Sequence, residues 1–256
     1  RKVSRLNLRG FVQAMVTGAR NGCVIAVSCA CAGIVVGVLD VTGLGIRFVT
    51  IVTELSGGIY PLALLLVMIS CLVLGMGVPT APAYIIAAMI AGPTLVHFGA
   101  HPVAAHMFVF YSALLSAITP PVALAAYAGA AISGGRVMET GFIASKLGFV
   151  KFIVPYIFVY NTALLMMGSP LFVIWSFLTA VIGTVLISMG LEGYLLTHVS
   201  IGRRPFYLVA GVLCLIPEIY TDFVGLFAGV FLIWLNYRKA RQEKQYSFMA
   251  RKTEVL

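Results

Sequence analysis

The stretch Leu74-Gly75-Met76-Gly77-Val78-Pro79-Thr80-Ala81-Pro82 decides how this chain folds. It interrupts an apolar run from Pro61 to Val96. Glycine populates positive φ and proline removes an amide donor, so the stretch breaks a helix rather than continuing one. Each flanking arm has about 14–16 residues, short of the roughly 20 that a helix needs to cross the hydrocarbon core. Two short arms around a tight tip predict a re-entrant hairpin over residues 61–96. That reading makes the chain an all-α integral membrane protein, and the composition agrees. Of 256 residues, 61% are hydrophobic and 10% charged, where soluble domains carry about 25% charged residues. An ordinary cytosolic enzyme, a disordered tail and a nucleic-acid module are all excluded. The net charge of +9 reflects Lys and Arg placed between apolar runs, as topology markers are.

A second break follows at once. Val103 to Gly134 is apolar but contains Ser116-Ala117-Ile118-Thr119-Pro120-Pro121. Adjacent prolines cannot extend a helix, and the residue before a proline is pushed out of the α region. A discontinuous helix is therefore expected over 103–134. Elsewhere, Gly22 to Leu39 reads as a span and residues 40–60 as an interfacial amphipathic stretch. Residues 134–151 read as a charged loop, and Phe152 to Met167 as a span kinked at Pro155. Leu171 to Gly190 reads as a further span, and 191–205 as a loop. Residues 206–236 are expected as a hairpin of two short helices with Glu218 and Asp222 at its outer tip, where they face water. These segments form two regions, 1–168 and a C-terminal membrane extension at 169–256.

Orientation follows from the positive-inside rule. With the N-terminus in the cytoplasm and 206–236 a hairpin, 16 of the 17 Lys and Arg fall inside and Arg47 alone falls outside. With 206–236 as one span the count drops to 10 of 17. Both termini are therefore expected in the cytoplasm. The tail's basic residues from Arg238 to Lys244 suit anionic lipid on that face. The chain begins at Arg1 and is expected to be a piece of a longer protein.

Non-helical backbone at membrane depth is tolerated only where it lines a cavity or is otherwise satisfied. Paired discontinuous helices point to a transporter's ion and substrate site. The candidate ion ligands are mainly backbone carbonyls of Gly75, Met76, Gly77, Val78, Pro79 and Thr80 on one side. Ser116, Ala117, Thr119, Pro120 and Pro121 supply the other. The hydroxyls of Thr80, Ser116 and Thr119 are hard oxygen ligands that could complete a sodium shell. The two breaks are expected to meet tip to tip.

These same residues carry a resemblance. Leu74 to Ile85 resembles the hairpin motif of the membrane permease of tripartite ATP-independent periplasmic (TRAP) transporters, in particular the fused-permease branch served by TAXI-type binding proteins. Ala104-Ala105-His106-Met107-Phe108-Val109-Phe110-Tyr111 with Ser116 to Tyr127 is similar to the family's next block. Ile153 to Asn161, Ala32-Gly33-Ile34 and Thr42-Gly43-Leu44-Gly45 fit as well. The resemblance covers about residues 10–168, as blocks in order. It implies an elevator-type secondary transporter of organic anions in the bacterial inner membrane, driven by sodium and supplied by a periplasmic substrate-binding protein. No cofactor is implied. The family has two inverted repeats, each with a hairpin and a broken helix, and one such pair is present here. The chain thus resembles the C-terminal half of a fused permease, with the N-terminal half as its partner. Two departures stand out: Ala81 and Thr162 replace an expected Thr and Pro. For the substrate, Pro82 and Asn161 are the candidates, although Asn161 reads first as a polar bridge between helices.

Other residues carry weaker signals. His97, His101 and His106 cluster near one mouth, but their spacing matches no ligand motif and reads as loop and helix-start histidines, with His106 able to orient the broken helix. Cys23, Cys29, Cys31, Cys71 and Cys214 lie in apolar runs without a CxxC and read as small apolar fillers. Gly33-Ile34-Val35-Val36-Gly37 and Gly225-Leu226-Phe227-Ala228-Gly229 fit the GxxxG helix-packing pattern. No nucleophile–base pair, HExxH or GxSxG lies in the spans, so an enzyme is not expected. The competing function is a non-transporting membrane scaffold or channel subunit, which sodium-dependent binding would separate from a transporter.

Overall fold

The computed structural model describes residues 7–195, 197–216 and 219–253. Among them it shows helices and no strand, apart from an isolated bridge between Tyr194 and His198. Five helical stretches are long and apolar enough to cross a membrane. The chain is an all-α, multi-pass membrane protein. It divides into two compact units, residues 1–144 and 145–256.

In the first unit, α1 runs Leu8–Thr42. Its 35 residues extend about 52 Å at 1.5 Å each, beyond the roughly 30 Å hydrocarbon core. The expected span at 22–39 is therefore the C-terminal part of a longer helix. No proline interrupts residues 8–42, so nothing stops the helix at the basic residues Arg9 and Arg20. Gly43, at φ 64°, ends it. The amphipathic stretch is α2, Leu44–Ser56, which closes on Gly57 at φ 57° and buries Val52 and Ser56. Next come α3, Tyr60–Gly75, and α4, Thr80–His97, the two arms of the hairpin. The broken helix is α5, Pro102–Leu115, and α6, Leu124–Ser133.

Helices α3, α4 and α5 pack on one another, and α2 lies on α3 and α4. Their interface is rich in alanine: Ala63, Ala83, Ala87, Ala91, Ala104 and Ala105 are all at most 1% exposed. Lipid is as apolar as leucine, so helices in a bilayer associate through close van der Waals approach, which small residues permit. Leu64, Val67, Leu95 and Phe108 fill the remaining space.

Residues 134–151 differ from the expected loop. They contain α7, Val137–Leu147, followed after Gly148-Phe149 by α8, Val150–Tyr160. The charges that suggested a loop sit where a helix tolerates them. Glu139 lies in the first turn of α7 and Lys146 in its last, which suits the helix dipole. Arg136 also pairs with Glu139 at 3.0 Å.

The second unit corrects the end of the expected span at 152–167. Helix α8 stops at Tyr160, and Asn161 caps a 3-10 turn over Thr162–Leu165. Then come α9, Pro170–Glu192, α10, Arg204–Leu213, and α11, Ile219–Thr253. Helix α10 lies antiparallel to both neighbours. On α9, a Cβ added to Gly183 would fall 2.8 Å from the Gly211 carbonyl, and one added to Gly211 2.7 Å from the Gly183 carbonyl. On α11, a Cβ at Gly225 would meet Cys214 Sγ at 2.6 Å. The Tyr207 hydroxyl donates to Leu232 O at 2.7 Å. So 206–236 holds two antiparallel helices, but the second is 35 residues long and continues through the tail.

Of the two GxxxG stretches, Gly225 and Gly229 are packed, Gly229 against Leu186, whereas Gly33 and Gly37 have nothing within 4 Å among the described residues. Backbone-to-backbone packing leaves little room to relax. Gly211→Val is expected to destabilise the protein by about 3 kcal/mol, the upper end of ordinary overpacking, read as the shift in its unfolding midpoint in detergent. A shift no larger than that of Gly33→Val would contradict the packing described.

Asp222 does not face water as expected. It is 5% exposed, and its Oδ2 accepts a 2.8 Å hydrogen bond from Trp175 Nε1. Its Oδ1 is buried without a partner among the described residues. Glu218, the other acid expected at this tip, lies outside the described residues.

Candidate functional site

The hairpin tip is built by its sequence. Helix α3 stops at Gly75, and Met76 N–H and Val78 N–H donate back to Val73 O and Gly75 O at 3.2 and 3.4 Å. Gly77 takes φ 77°, a conformation costly for any residue with a side chain. Pro79 then starts α4, and its carbonyl accepts from Ala83 N–H at 3.0 Å. No side chain caps α4.

The second break is longer, residues 116–123, between α5 and α6. It contains a cis Pro120–Pro121 bond, and Ala123 sits at φ 31° while fully buried. It is held from three directions. Ala125 N–H reaches back to Ala117 O at 2.9 Å. The Tyr127 hydroxyl donates to Pro121 O at 2.6 Å. Gly141 of α7 lies under it, where an added Cβ would be 3.2 Å from Pro120 Cγ and 3.0 Å from Tyr127 Cε1.

The two breaks lie against each other. A Cβ added to Gly75 would fall 2.6 Å from Ser116 Oγ and 2.8 Å from Ala113 O. One added to Gly77 would meet Val122 Cγ1 at 3.8 Å. Gly75 and Ser116 are both buried, Ser116 at 3% exposure.

The candidate ligands fall into two groups. Nothing among the described residues donates to the carbonyls of Met76, Gly77, Val78 or Pro120. The carbonyls of Gly75, Pro79, Ser116, Ala117, Thr119 and Pro121 each accept one hydrogen bond, which leaves a second lone pair. Ser116 Oγ donates to Ala113 O at 2.6 Å and Thr119 Oγ1 to Leu115 O at 2.7 Å. With their protons so committed, both hydroxyl oxygens keep lone pairs with which to accept. Thr80 is exposed at the first turn of α4. The arrangement offers oxygen lone pairs and no formal charge, which suits a hard monovalent cation better than a divalent one.

The other candidates are placed differently. Pro82 is buried under the first turn of α4. Asn161, in the second unit, accepts from Ala163 N–H at 3.0 Å and donates to Ser176 Oγ at 3.1 Å. Its side-chain oxygen thus serves a cap and its amide nitrogen a bridge to α9, each through one of its two possible hydrogen bonds.

The histidines do not converge, and no group of three metal-binding side chains occurs among the described residues. His101 caps α5 through Val103 N–H, at 3.3 Å. His106 Nδ1 lies 3.2 Å from the Tyr84 hydroxyl and so ties α5 to the hairpin arm. His97 and His106 line a cavity of about 680 Å³ with Asp40, Gly45 and Gly92.

Sequence reading missed Tyr127 and Gly141 as supports of the second break. Tyr127 had a signal, since it lies six residues beyond Pro121 on the first free turn of α6. Gly141 had none, because it belongs to a helix that read as a loop.

An all-helical membrane chain with opposed helix breaks has the architecture of a secondary transporter. Residues 2–172 match the family described as the tripartite ATP-independent periplasmic transporter, DctM component, and the chain belongs to that family. Neither a curated protein nor a solved structure matches it. The family performs TRAP-type secondary transport of organic acids, in association with a periplasmic substrate-binding protein, and is a family of transporters rather than enzymes.

Proposed function

We propose that the chain is the second half of a sodium-coupled TRAP permease of the TAXI-type branch. It takes up an organic anion delivered by a periplasmic binding protein across the bacterial inner membrane, with both termini in the cytoplasm. The observation that carries this reading is the packing of Gly75 on Ser116, which brings both helix breaks to one place.

Helix polarity then separates the two ligands. Helices α3 and α5 end at the breaks and point their carbonyl ends there, where a cation is favoured. Helix α4 begins at the same place with uncapped amides at Thr80 and Ala81, where a carboxylate is favoured. A sodium ion held by the carbonyl ends cancels their repulsion of a nearby anion, so each ligand strengthens the other's binding. That reciprocity is the thermodynamic content of coupling. In an elevator mechanism the two breaks travel together, and the tight Gly75–Ser116 contact suits a body that moves as one piece.

The test is uptake by the complete permease in proteoliposomes, with its binding protein outside and with or without a sodium gradient. Uptake is expected to require both. Thr119→Val keeps the shape of the side chain and removes one hydroxyl ligand. It is expected to raise the half-saturating sodium concentration about tenfold, the scale of one hydrogen bond to a charged group. Pro120→Ala, which loosens the break, is expected to act in the same direction, and both variants should lose less thermal stability than sodium affinity. Unchanged sodium dependence in both would remove the ion from this site.

A further inference from the structure

Beyond the family-matched residues, the second unit holds a polar cavity that the transport reading does not use. It measures about 190 Å³ and is lined by His198, Val199, Ser200, Arg203, Tyr207 and Asn236. Among the described residues its walls carry a guanidinium and an imidazole, and no carboxylate. The neighbouring acid, Glu192 at the end of α9, is engaged by Lys146 at 3.3 Å. Arg204 follows in sequence, with its guanidinium tucked beneath Gly193 and its Nε buried without a partner among the described residues. Helix α10 begins there without a side-chain cap, so its first amides add partial positive charge.

The floor of the cavity is fixed before any ligand arrives. Tyr207 is 1% exposed and anchored to Leu232 O, and Asn236 is 4% exposed and donates to Thr197 O at 3.5 Å.

We propose that this cavity binds one phosphate group, with Arg203 as its principal ligand. Size limits what enters. Sites for whole small molecules run at roughly 300–1,000 Å³, so 190 Å³ admits a head group and leaves the rest of its molecule outside. Charge selects an anion, and a planar guanidinium suits paired hydrogen bonds to phosphate oxygens.

The surroundings favour a phospholipid over free phosphate as the source. Trp234 and Tyr237 flank Asn236 along α11, and Arg238 sits 4.1 Å over the Trp234 ring. Such aromatic and basic residues mark the membrane–water boundary. Ile201 and Phe206 beside the cavity are 80% and 64% exposed and offer apolar surface to acyl chains. The site differs from the general attraction of the basic tail, because it is a shaped concavity in the folded unit.

The experiment uses the purified full chain in a zwitterionic detergent. Retention of phosphatidylglycerol is read by native mass spectrometry, and the unfolding midpoint is followed with phosphatidylglycerol, phosphatidylcholine or inorganic phosphate. The expected result is one phosphatidylglycerol held per chain, weakened about tenfold by Arg203→Gln, less by Arg203→Lys, and little by the tail variant Arg241→Gln. Stabilisation by inorganic phosphate that Arg203→Gln abolishes would support the same site with free phosphate as its source. Equal retention and equal midpoints for Arg203→Gln and the parent under every condition would overturn the proposal, as would equal weakening by Arg241→Gln.

Discussion

On the sodium site proposed above, Gly75→Ala is expected to lower sodium-dependent uptake at least tenfold. The added Cβ would stand 2.6 Å from Ser116 Oγ and 2.8 Å from Ala113 O, closer than real Cβ atoms approach either. The serine can rotate away, but the Ala113 carbonyl belongs to the last turn of α5 and cannot. The breaks must separate, and overpacking of this kind costs about 1–3 kcal/mol. An ion shell assembled from both breaks loses its ligand distances when they part. Sodium dependence should therefore suffer before membrane insertion or thermal stability. Gly75→Ala combined with Ser116→Ala should not recover the loss, because the Ala113 carbonyl contact at 2.8 Å remains and a candidate hydroxyl ligand is removed as well. The measurement is the initial uptake rate against sodium concentration in proteoliposomes. A Gly75→Ala protein with the parent's sodium dependence would show that the breaks touch without sharing an ion.

Trp175→Phe is the second. The indole is the one hydrogen-bond donor that the described residues offer Asp222, at 2.8 Å. Removing it leaves a buried carboxyl with neither oxygen satisfied, since Oδ1 already lacks a partner. Loss of a hydrogen bond to such a group costs about 1.5–3 kcal/mol. Asp222→Asn should cost less, because the amide oxygen still accepts from Trp175. The combination of Trp175→Phe with Asp222→Leu should restore much of the stability, since replacing both partners by apolar groups removes the need that each creates. Unfolding in detergent, run as a double-mutant cycle, reads the coupling. Additive effects would show that the two side chains are neighbours without a working bond.

Much of the helix pattern was legible because prolines and glycines punctuate it. The break expected at Gly75 to Pro82 is the turn between α3 and α4, and the one expected at Ser116 to Pro121 is the gap between α5 and α6. Both depend on local backbone chemistry, which sequence states directly. Asn161 was legible as a bridge, because an amide in an apolar run must find partners. Helix α7 is not legible locally because its charge density mimics a loop, whereas Glu139 and Lys146 sit at the helix ends that favour their signs. The end of α8 was hidden because Asn161-Thr162 is a cap signal inside an otherwise apolar run. Asp222 was misplaced for a different reason: its partner Trp175 lies on another helix, 47 residues away, and no local pattern joins them. The contact of Gly75 with Ser116 is likewise tertiary. Two breaks announce a site, but which of their carbonyls stay free depends on how Ala125, Tyr127 and Ala83 spend their donors.

The antiparallel arrangement of α10 and α11 has a consequence for how the protein is made. Asn236 of α11 reaches Thr197 in the segment that precedes α10, so the chain leaves this pair on the face from which it entered. The pair contributes no net crossing. Removing residues 204–253 is therefore expected to leave every earlier segment facing as before. A reporter fused after Leu256 is therefore expected to share its compartment with the 193–203 segment.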